Sequence, residues 1–215
     1  AEVATAFAKR FSIPLVQALG IIEVGLPVVN ATSAVHKPEA LGRPGDAYDV
    51  WLRAEDGARI APEDSSPERT GEICIRGEGL FDAYLRPWTL ARELTARDGF
   101  RTGDQGWFDA DGDLHLAGRR ANRINLAGMK FFAEEVEAVL DAHPEVRVSR
   151  VLAREHAQLG QVPVAEIVPC DPADPPDKRS LVAHCRAHLP RYKIPREFAV
   201  VAAIERTPTG KIRRA

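Results

Sequence analysis

The sequence predicts an α+β chain in two parts, and three observations carry that prediction. Up to about residue 118 the chain reads as short strands broken by turns, with a clear hairpin signal in Asp109-Ala-Asp-Gly-Asp. Beyond it, two stretches place apolar residues at helical spacing and alternate with strand-like runs. The change of character falls near Gly118–Asn122. Of the 215 residues, 45% are hydrophobic and 28% charged, which supplies a real core and argues against global disorder. Lys and Arg number 29 against 31 Asp and Glu, a net charge of −2. Such a balance gives no general attraction to nucleic acid or an anionic membrane. No apolar run approaches the ~20 residues that span a bilayer. The start, Ala1-Glu-Val-Ala-Thr-Ala-Phe, has neither a secretory leader nor an initiator Met, so the chain reads as the interior of a longer protein.

The elements follow in order. Val3, Phe7 and Phe11 set a helical period over residues 1–11, and Pro14 opens a short apolar strand through Leu19. Ala47–Leu52 is the next strand, then a turn at Glu55-Asp-Gly and a short return at Ala58-Arg-Ile. Pro62–Arg69 is polar and loop-like. Glu72–Arg76 is a strand closed by Gly77 and Gly79, Thr89–Arg97 a short helix, and Gly106–Phe108 with Leu114–Leu116 the arms of the hairpin. In the second part Val136, Val139 and Leu140 define a helix over Ala133–His143. Val146–Ala153 and Val162–Val168 are strands, Asp171–Asp177 with its three prolines an irregular loop, and Ser180 the cap of a helix stopped by Pro190. Phe198–Val201 is a last strand before a basic tail, giving a β-α-β-β-α-β outline.

Cys74, Cys170 and Cys185 form no CxxC pair and no zinc spacing, and an odd, sparse set fits a reducing compartment such as the cytoplasm. Cys74, between isoleucines, reads as a small buried hydrophobe. The six His are scattered; His184 and His188 share one helix, and all read as surface or capping residues rather than metal ligands. Chemistry concentrates in four loops. In Leu19-Gly-Ile-Ile-Glu23, Gly20 permits close backbone approach and Glu23 offers a carboxylate to a hard cation such as Mg2+. Gly99-Phe-Arg-Thr-Gly-Asp104 forms a tight turn presenting Asp104, whose two acceptor oxygens suit paired ribose hydroxyls. Ala117-Gly-Arg-Arg puts glycine and cation at the boundary, and Arg206-Thr-Pro-Thr-Gly-Lys211 places a lysine on a turn. Each loop alone could equally be a surface turn or a solvated tail.

Their ordered set resembles the adenylate-forming enzymes: acyl- and aryl-CoA synthetases, luciferase-like enzymes and peptide-synthetase adenylation domains. The matching pieces are Gly20…Glu23, Leu41-Gly-Arg-Pro-Gly, Gly71-Glu-Ile-Cys-Ile-Arg-Gly and Phe100-Arg-Thr-Gly-Asp104. They continue with Asp111-Gly-Asp-Leu-His-Leu-Ala-Gly-Arg119, Ile124-Asn-Leu-Ala-Gly-Met-Lys, Glu135-Val-Glu, Leu189-Pro-Arg-Tyr-Lys-Ile-Pro and Thr207-Pro-Thr-Gly-Lys-Ile-Arg-Arg. The upstream phosphate loop and most of the carboxylate pocket of such enzymes have no counterpart here. The resemblance therefore implies the β-rich end of the large AMP-binding domain over residues 1–118, a hinge over 119–123, and the mobile α+β C-terminal domain over 124–215.

The resemblance further implies an ATP-dependent ligase that forms an acyl-AMP and passes the acyl group to a thiol, CoA before a carrier-protein phosphopantetheine. Lys211 would bridge carboxylate and α-phosphate, Glu23 help hold Mg2+, Asp104 bind ribose, Arg119 contact the nucleotide and Gly128 line the thiol path. Arg120 and Ala121 fall in the hinge. Three positions depart from the family pattern: Leu19 and Ile22 replace an aromatic and a hydroxyl, and Ala121 replaces the usual hinge Asp or Lys. They keep two other readings open, a carrier-loading adenylation domain and a non-catalytic nucleotide-binding or interaction module. The expected partners are the missing upstream part, a carboxylic acid and the thiol, and no adenylation is expected from these 215 residues alone.

Overall fold

The computed structural model describes residues 2–95, 99–208, 210 and 212–214, and the chain falls into two compact units, Ala1–Ala117 and Gly118–Ala215. The first opens with α1 (Glu2–Phe11), then a small sheet of β1 (Ala18–Ile21), β2 (Gly25–Val29) and β3 (Arg43–Pro44) in that order. The strand begins at Ala18, four residues after Pro14, and just before it the Gln17 carbonyl accepts the Asn30 N–H at 2.8 Å. Five strands make the larger sheet: β4 (Tyr48–Arg53), β5 (Arg59–Ile60), β6 (Gly71–Gly77), and further on β9 and β10. The hairpin of β7 (Ala83–Leu85) and β8 (Trp88–Leu90) precedes a one-turn helix, α2 (Ala91–Thr95). Thr89 and Leu90, expected in that helix, pair across the hairpin instead, while Ala96 and Arg97 lie outside the described residues. β9 (Phe100–Phe108) and β10 (Leu114–Arg119) complete the sheet, whose order is β10-β9-β6-β4-β5. β6 is paired on both sides and buries Ile73, Cys74 and Ile75 completely, so its run of apolar residues is that of a central strand.

Between β2 and β3 the chain loops through residues 31–42 around Asn30, 1% exposed. The Asn30 amide donates to the carbonyls of Lys37 and Ala40 at 2.9 and 3.0 Å, and its oxygen accepts the Ser33 N–H at 3.1 Å. A buried side chain thus replaces the ladder the loop lacks. The loop delivers Lys37 to the β9–β10 turn. Its ammonium lies 2.6 Å from Asp109, 2.5 Å from Asp111 and 3.4 Å from Asp113, and Ser33 donates to Asp113 at 2.7 Å. The hairpin expected at Asp109–Asp113 is present and cross-linked by this ammonium.

The second unit begins with a hairpin where the expected outline has a single strand: β11 (Arg123–Leu126) and β12 (Met129–Phe132). Then follow α3 (Ala133–Asp141), the long hairpin of β13 (Val146–His156) and β14 (Gly160–Pro169), α4 (Lys178–His188) and β15 (Glu197–Val200). The sheet runs β12-β11-β14-β13, and β15 adds to β14 in parallel. A parallel partner needs a crossover, and α4 is its helix. α3 starts because the Glu135 side chain accepts the Phe132 N–H at 2.8 Å, and it buries Ala133, Val136 and Leu140 on one face. α4 is capped by Asp177, not by Ser180: the Asp177 carboxylate accepts the Ser180 N–H at 2.8 Å. Asp at the N-cap follows directly from Pro175 and Pro176, which cannot donate into a helix turn. Leu181 and Cys185, one turn apart, enter a core shared with Phe131, Val136, Leu140 and Ile167.

Candidate functional site

The candidate residues of the first unit lie at its turns and at one irregular strand. Gly20 is exposed in β1, Ile22 is 96% exposed in the turn that follows, and Leu19 is buried in the unit's core. Where an aromatic was expected, an aliphatic residue is packed inside. Glu23 sits in the β1–β2 turn, and its carboxylate accepts the Tyr84 hydroxyl at 2.7 Å while its carbonyl accepts the Phe81 N–H at 2.8 Å. That hydrogen bond pushes the Tyr84 hydroxyl up to about 12. Tyr84 was not singled out in the sequence, since it stands 61 residues away and only the fold joins them. A single carboxylate with one oxygen held by a phenol keeps its second oxygen for a ligand, the arrangement in which Mg2+ is usually bound together with phosphates and water.

Asp104 lies not in a tight loop but inside β9. Glu72 faces Gln105 and Cys74 faces Arg101, so two steps along β6 match four along β9, and Thr102-Gly-Asp104 bulges out opposite Ile73. Thr102 donates to the Ile73 carbonyl at 2.9 Å and accepts the Asp104 N–H at 3.0 Å, while Gly103 adopts φ +75°. Such a φ suits glycine. The bulge turns Asp104 out of the strand's alternation, which is what bulges near functional sites do. Its side chain is 7% exposed. Beside it, Arg101 holds Glu72 through two nitrogens at 3.0 and 2.6 Å.

In the second unit Arg119, Arg120 and Ala121 are exposed, the last two in a single 3-10 turn, Arg120–Asn122. Asn122 donates to Glu134. Gly128 forms the β11–β12 turn with φ +90°; its N–H is accepted by the Asn125 side chain at 3.0 Å, and a Cβ there would meet nothing within 4 Å. The turn is open, so a side chain at 128 would project into free space next to the strained backbone rather than into this unit. Lys211 and Thr209 lie outside the described residues. The backbone around them is anchored: Arg206 bridges to Ile212 and donates to the Gly210 carbonyl at 2.8 Å, and the Arg213 N–H meets the Glu205 carbonyl at 2.9 Å. Arg150 donates to the Arg213 carbonyl at 2.7 Å. Arg214 then reaches Glu137, which is 7% exposed and accepts the Val151 N–H at 2.7 Å. Burial raises the Glu137 carboxyl above its ordinary value against the pull of Val151 and Arg214. The expected basic tail is therefore pinned on both sides of position 211.

A cavity of about 550 Å³ in the first unit is walled by Pro62, Pro67 and Trp107 and holds none of the candidate residues. In the second unit a groove of about 490 Å³ runs between α4 and the following turn, and sequence reading missed it. Lys178, Arg186, Arg191 and Arg196 line it with Tyr192, and no carboxylate does. Glu197 pairs with Arg154 and also interacts with Lys178, while Glu135 pairs with Lys193 at 2.5 Å and Asp177 caps α4. These cations are spread over 19 residues of a chain with no net basic charge, so only the fold gathers them.

Residues 135–211 match the AMP-binding enzyme C-terminal domain. Along most of its length the chain is similar to the sulfoacetate–CoA ligase of Cupriavidus necator, at 31% identity over 97% of this chain and 40% of that one. The o-succinylbenzoate CoA synthetase of Bacillus subtilis, solved with its acyl-adenylate intermediate, superposes with a TM-score of 0.83 at 27% identity, covering 96% of this chain and 41% of that one. An amide bond synthetase from Marinactinospora thermotolerans superposes with a TM-score of 0.79 at 30% identity, covering 98% and 43%. The chain spans about 40% of the length of the curated relatives it matches. A domain match at the C-terminal end, ligase relatives along nearly every residue and a shared fold lead to one assignment: the chain belongs to the adenylate-forming superfamily, and it corresponds to the C-terminal portion of its members.

Proposed function

We propose that this chain is part of an AMP-forming carboxylate ligase that activates an acid with ATP and transfers the acyl group to CoA. The observation that carries the reading is the likeness to CoA ligases along 97% of the chain. In it, residues 1–118 end the large AMP-binding domain, 119–123 are a hinge containing Arg120 and Ala121, and 124–215 are the mobile C-terminal domain. Asp104, set off by its bulge, accepts the ribose hydroxyls, and Arg119 contacts the nucleotide. Glu23, fixed by Tyr84, would help hold Mg2+, which when bound neutralises charge on the phosphates. Attack of the acid's carboxylate on the α-phosphate builds negative charge on both oxygens, and the Lys211 ammonium stabilises it. Attack of the thiol on the acyl carbonyl, which forms the thioester and expels AMP, requires another surface of the small domain, with Gly128 beside the thiol path, and hence a hinge. The sparse, unpaired cysteines fit a cytoplasmic enzyme.

The cationic groove of the second unit supports CoA over a carrier-bound thiol. CoA carries three phosphate groups, and four cations lining one groove suit them. The test uses the complete enzyme and separates the two half-reactions. Lys211→Ala is expected to cut ATP–pyrophosphate exchange ~10²–10³-fold, the cost of one preorganised transition-state donor, and to spare thioester formation from supplied acyl-AMP. Gly128→Leu is expected to do the reverse. Arg186→Glu with Arg191→Glu is expected to raise KM for CoA and leave pyrophosphate exchange unchanged. Equal damage to both steps by the first two variants would set the two-step reading aside.

A further inference from the structure

Two imidazoles on α4 have their protons fixed in a way that leaves one nitrogen free on each. His184 and His188 stand one turn apart, with ring centroids 4.8 Å from each other and planes tilted by 40°. His184 Nε2 is 2.9 Å from the Val139 carbonyl at the end of α3. A carbonyl only accepts, so Nε2 carries the proton and Nδ1 keeps its lone pair. His188 Nδ1 is 2.9 Å from the His184 carbonyl, so the proton is on Nδ1 and the lone pair on Nε2. An imidazole whose N–H is tied to a backbone carbonyl is the form in which histidine ligates metals, because the tie fixes the tautomer and the ring. Histidines at i and i+4 lie on one helix face and share a single ion in known metal motifs.

His143 packs edge-on against His184 at 5.1 Å yet is spoken for. Its Nδ1 accepts the Glu145 N–H at 3.3 Å, and its Nε2 donates to the Ser180 hydroxyl at 2.9 Å. Cys185, the neighbour of His184 in sequence, faces the core and is fully buried. Among the described residues no group of three or more His, Cys, Asp or Glu converges on one point. An ion held by this pair would have two protein ligands and take water at its other positions, which the exposed His188 and half-buried His184 admit.

We propose that His184 and His188 form a chelating site for a borderline divalent ion of the Ni2+, Cu2+ or Zn2+ type. Imidazole nitrogens suit these ions, whereas Mg2+ takes oxygen ligands. At metal–nitrogen distances of roughly 2.0–2.1 Å the two ligand nitrogens of a chelate sit about 3 Å apart, and the two ring centroids here are 4.8 Å apart. The ion would tie the last two turns of α4 together beside the end of α3. The sequence reading placed these histidines at the surface without a ligand role; the proton positions are what change that.

The experiment titrates the 215-residue chain with NiCl2 and ZnCl2 by calorimetry, in a Cys170→Ser background that removes the exposed thiol. One equivalent of metal is expected to bind and to raise the thermal midpoint, and MgCl2 to do neither. His188→Ala, at an exposed position, is expected to weaken binding ~10–100-fold, the scale on which metal sites respond to loss of a supporting group. His143→Gln is expected to bind as the parent does. No saturable binding, binding that survives His188→Ala, or binding lost in His143→Gln would each overturn the assignment.

Discussion

The two units hold their key charges in opposite ways. In the first, three aspartates of the β9–β10 turn converge on Lys37, Asp113 fully buried and Asp111 open to water. In the second, Glu137 lies on the buried face of α3 and is answered by Arg214 and the Val151 N–H. The physical consequence appears in the carboxyl groups themselves. Burial disfavours ionisation at Asp109 too, but hydrogen bonds from Lys37 and His115 outweigh it and hold the group well below the usual carboxylate range. At Glu137 burial wins and the group is raised. Both side chains are largely inaccessible, and the difference is in the donors: Asp109 accepts from Lys37, His115 and two backbone N–H groups, whereas Glu137 accepts from Val151 and Arg214 alone. Acid should therefore act on the two units with opposite sign. Asp109 contributes stability above its ordinary value of 3.8 that is lost as the pH falls below it, whereas Glu137 favours the folded state below 4.5 and that contribution is lost as the pH rises through its raised value.

The largest expected effect comes from breaking either core. Leu140→Ala in the second unit and Ile73→Ala in the first each remove a completely buried side chain. Each should cost ~2–5 kcal/mol by lost burial and residual cavity. Because the two apolar cores are separate clusters, amide exchange should accelerate in the substituted unit and hold steady in the other. Spread of the loss across both units would show that the comparison treats as two what behaves as one.

Next in size is Arg214→Ala. It leaves Glu137 buried with only the Val151 N–H, and an acceptor so stranded costs ~1–3 kcal/mol. The sign with pH is set by the raised carboxyl: in acid Glu137 is protonated and the loss shrinks, and as the pH rises through its folded value the loss grows. Urea midpoints at acid and neutral pH measure this, and adding Glu137→Gln should restore most of the neutral-pH loss. An equal loss at both pH values would mean that Arg214 acts through packing of the tail alone.

How far the sequence revealed all this follows the same division between local and non-local. The helix over Ala133–Asp141, the hairpin at Asp109–Asp113 and the central strand Glu72–Arg76 were legible because period, turn chemistry and apolar runs are local signals. Asp104 was legible as a residue but not as a strand bulge, since the extra residues are counted only against β6, some 30 positions earlier. The β11–β12 hairpin was missed because its turn, Ala127-Gly128, is flanked by short strands without alternation. The Tyr84–Glu23 bond, the Glu137–Arg214 pair and the four cations of the groove join residues that only the fold brings together. Of the expected site, the ordered motifs named the residues, and the structure added the partners of Glu23 and Gly128.

The smallest and most discriminating effect is expected from Lys37→Met. Without the ammonium, Asp109, Asp111 and Asp113 face one another across the turn, so the first unit should lose stability at neutral pH. His115, 3.0 Å from Asp109 and stacked on Trp107 at 4.2 Å, remains to share that charge and limits the loss. Asp109 then titrates higher than in the parent, and once the pH drops below about 4 the carboxyls protonate and the difference between variant and parent should vanish. Salt gives a second handle. Repulsion that involves Asp111, open to water, is screened at ~1 M salt, where the Debye length is about 3 Å, so part of the neutral-pH loss should shrink there too. The Arg214→Ala loss, seated at the buried face of α3, should persist in the same salt. A Lys37→Met defect indifferent to both acid and salt would mean that the side chain's methylenes, and not its charge, hold the loop of residues 31–42 against the hairpin.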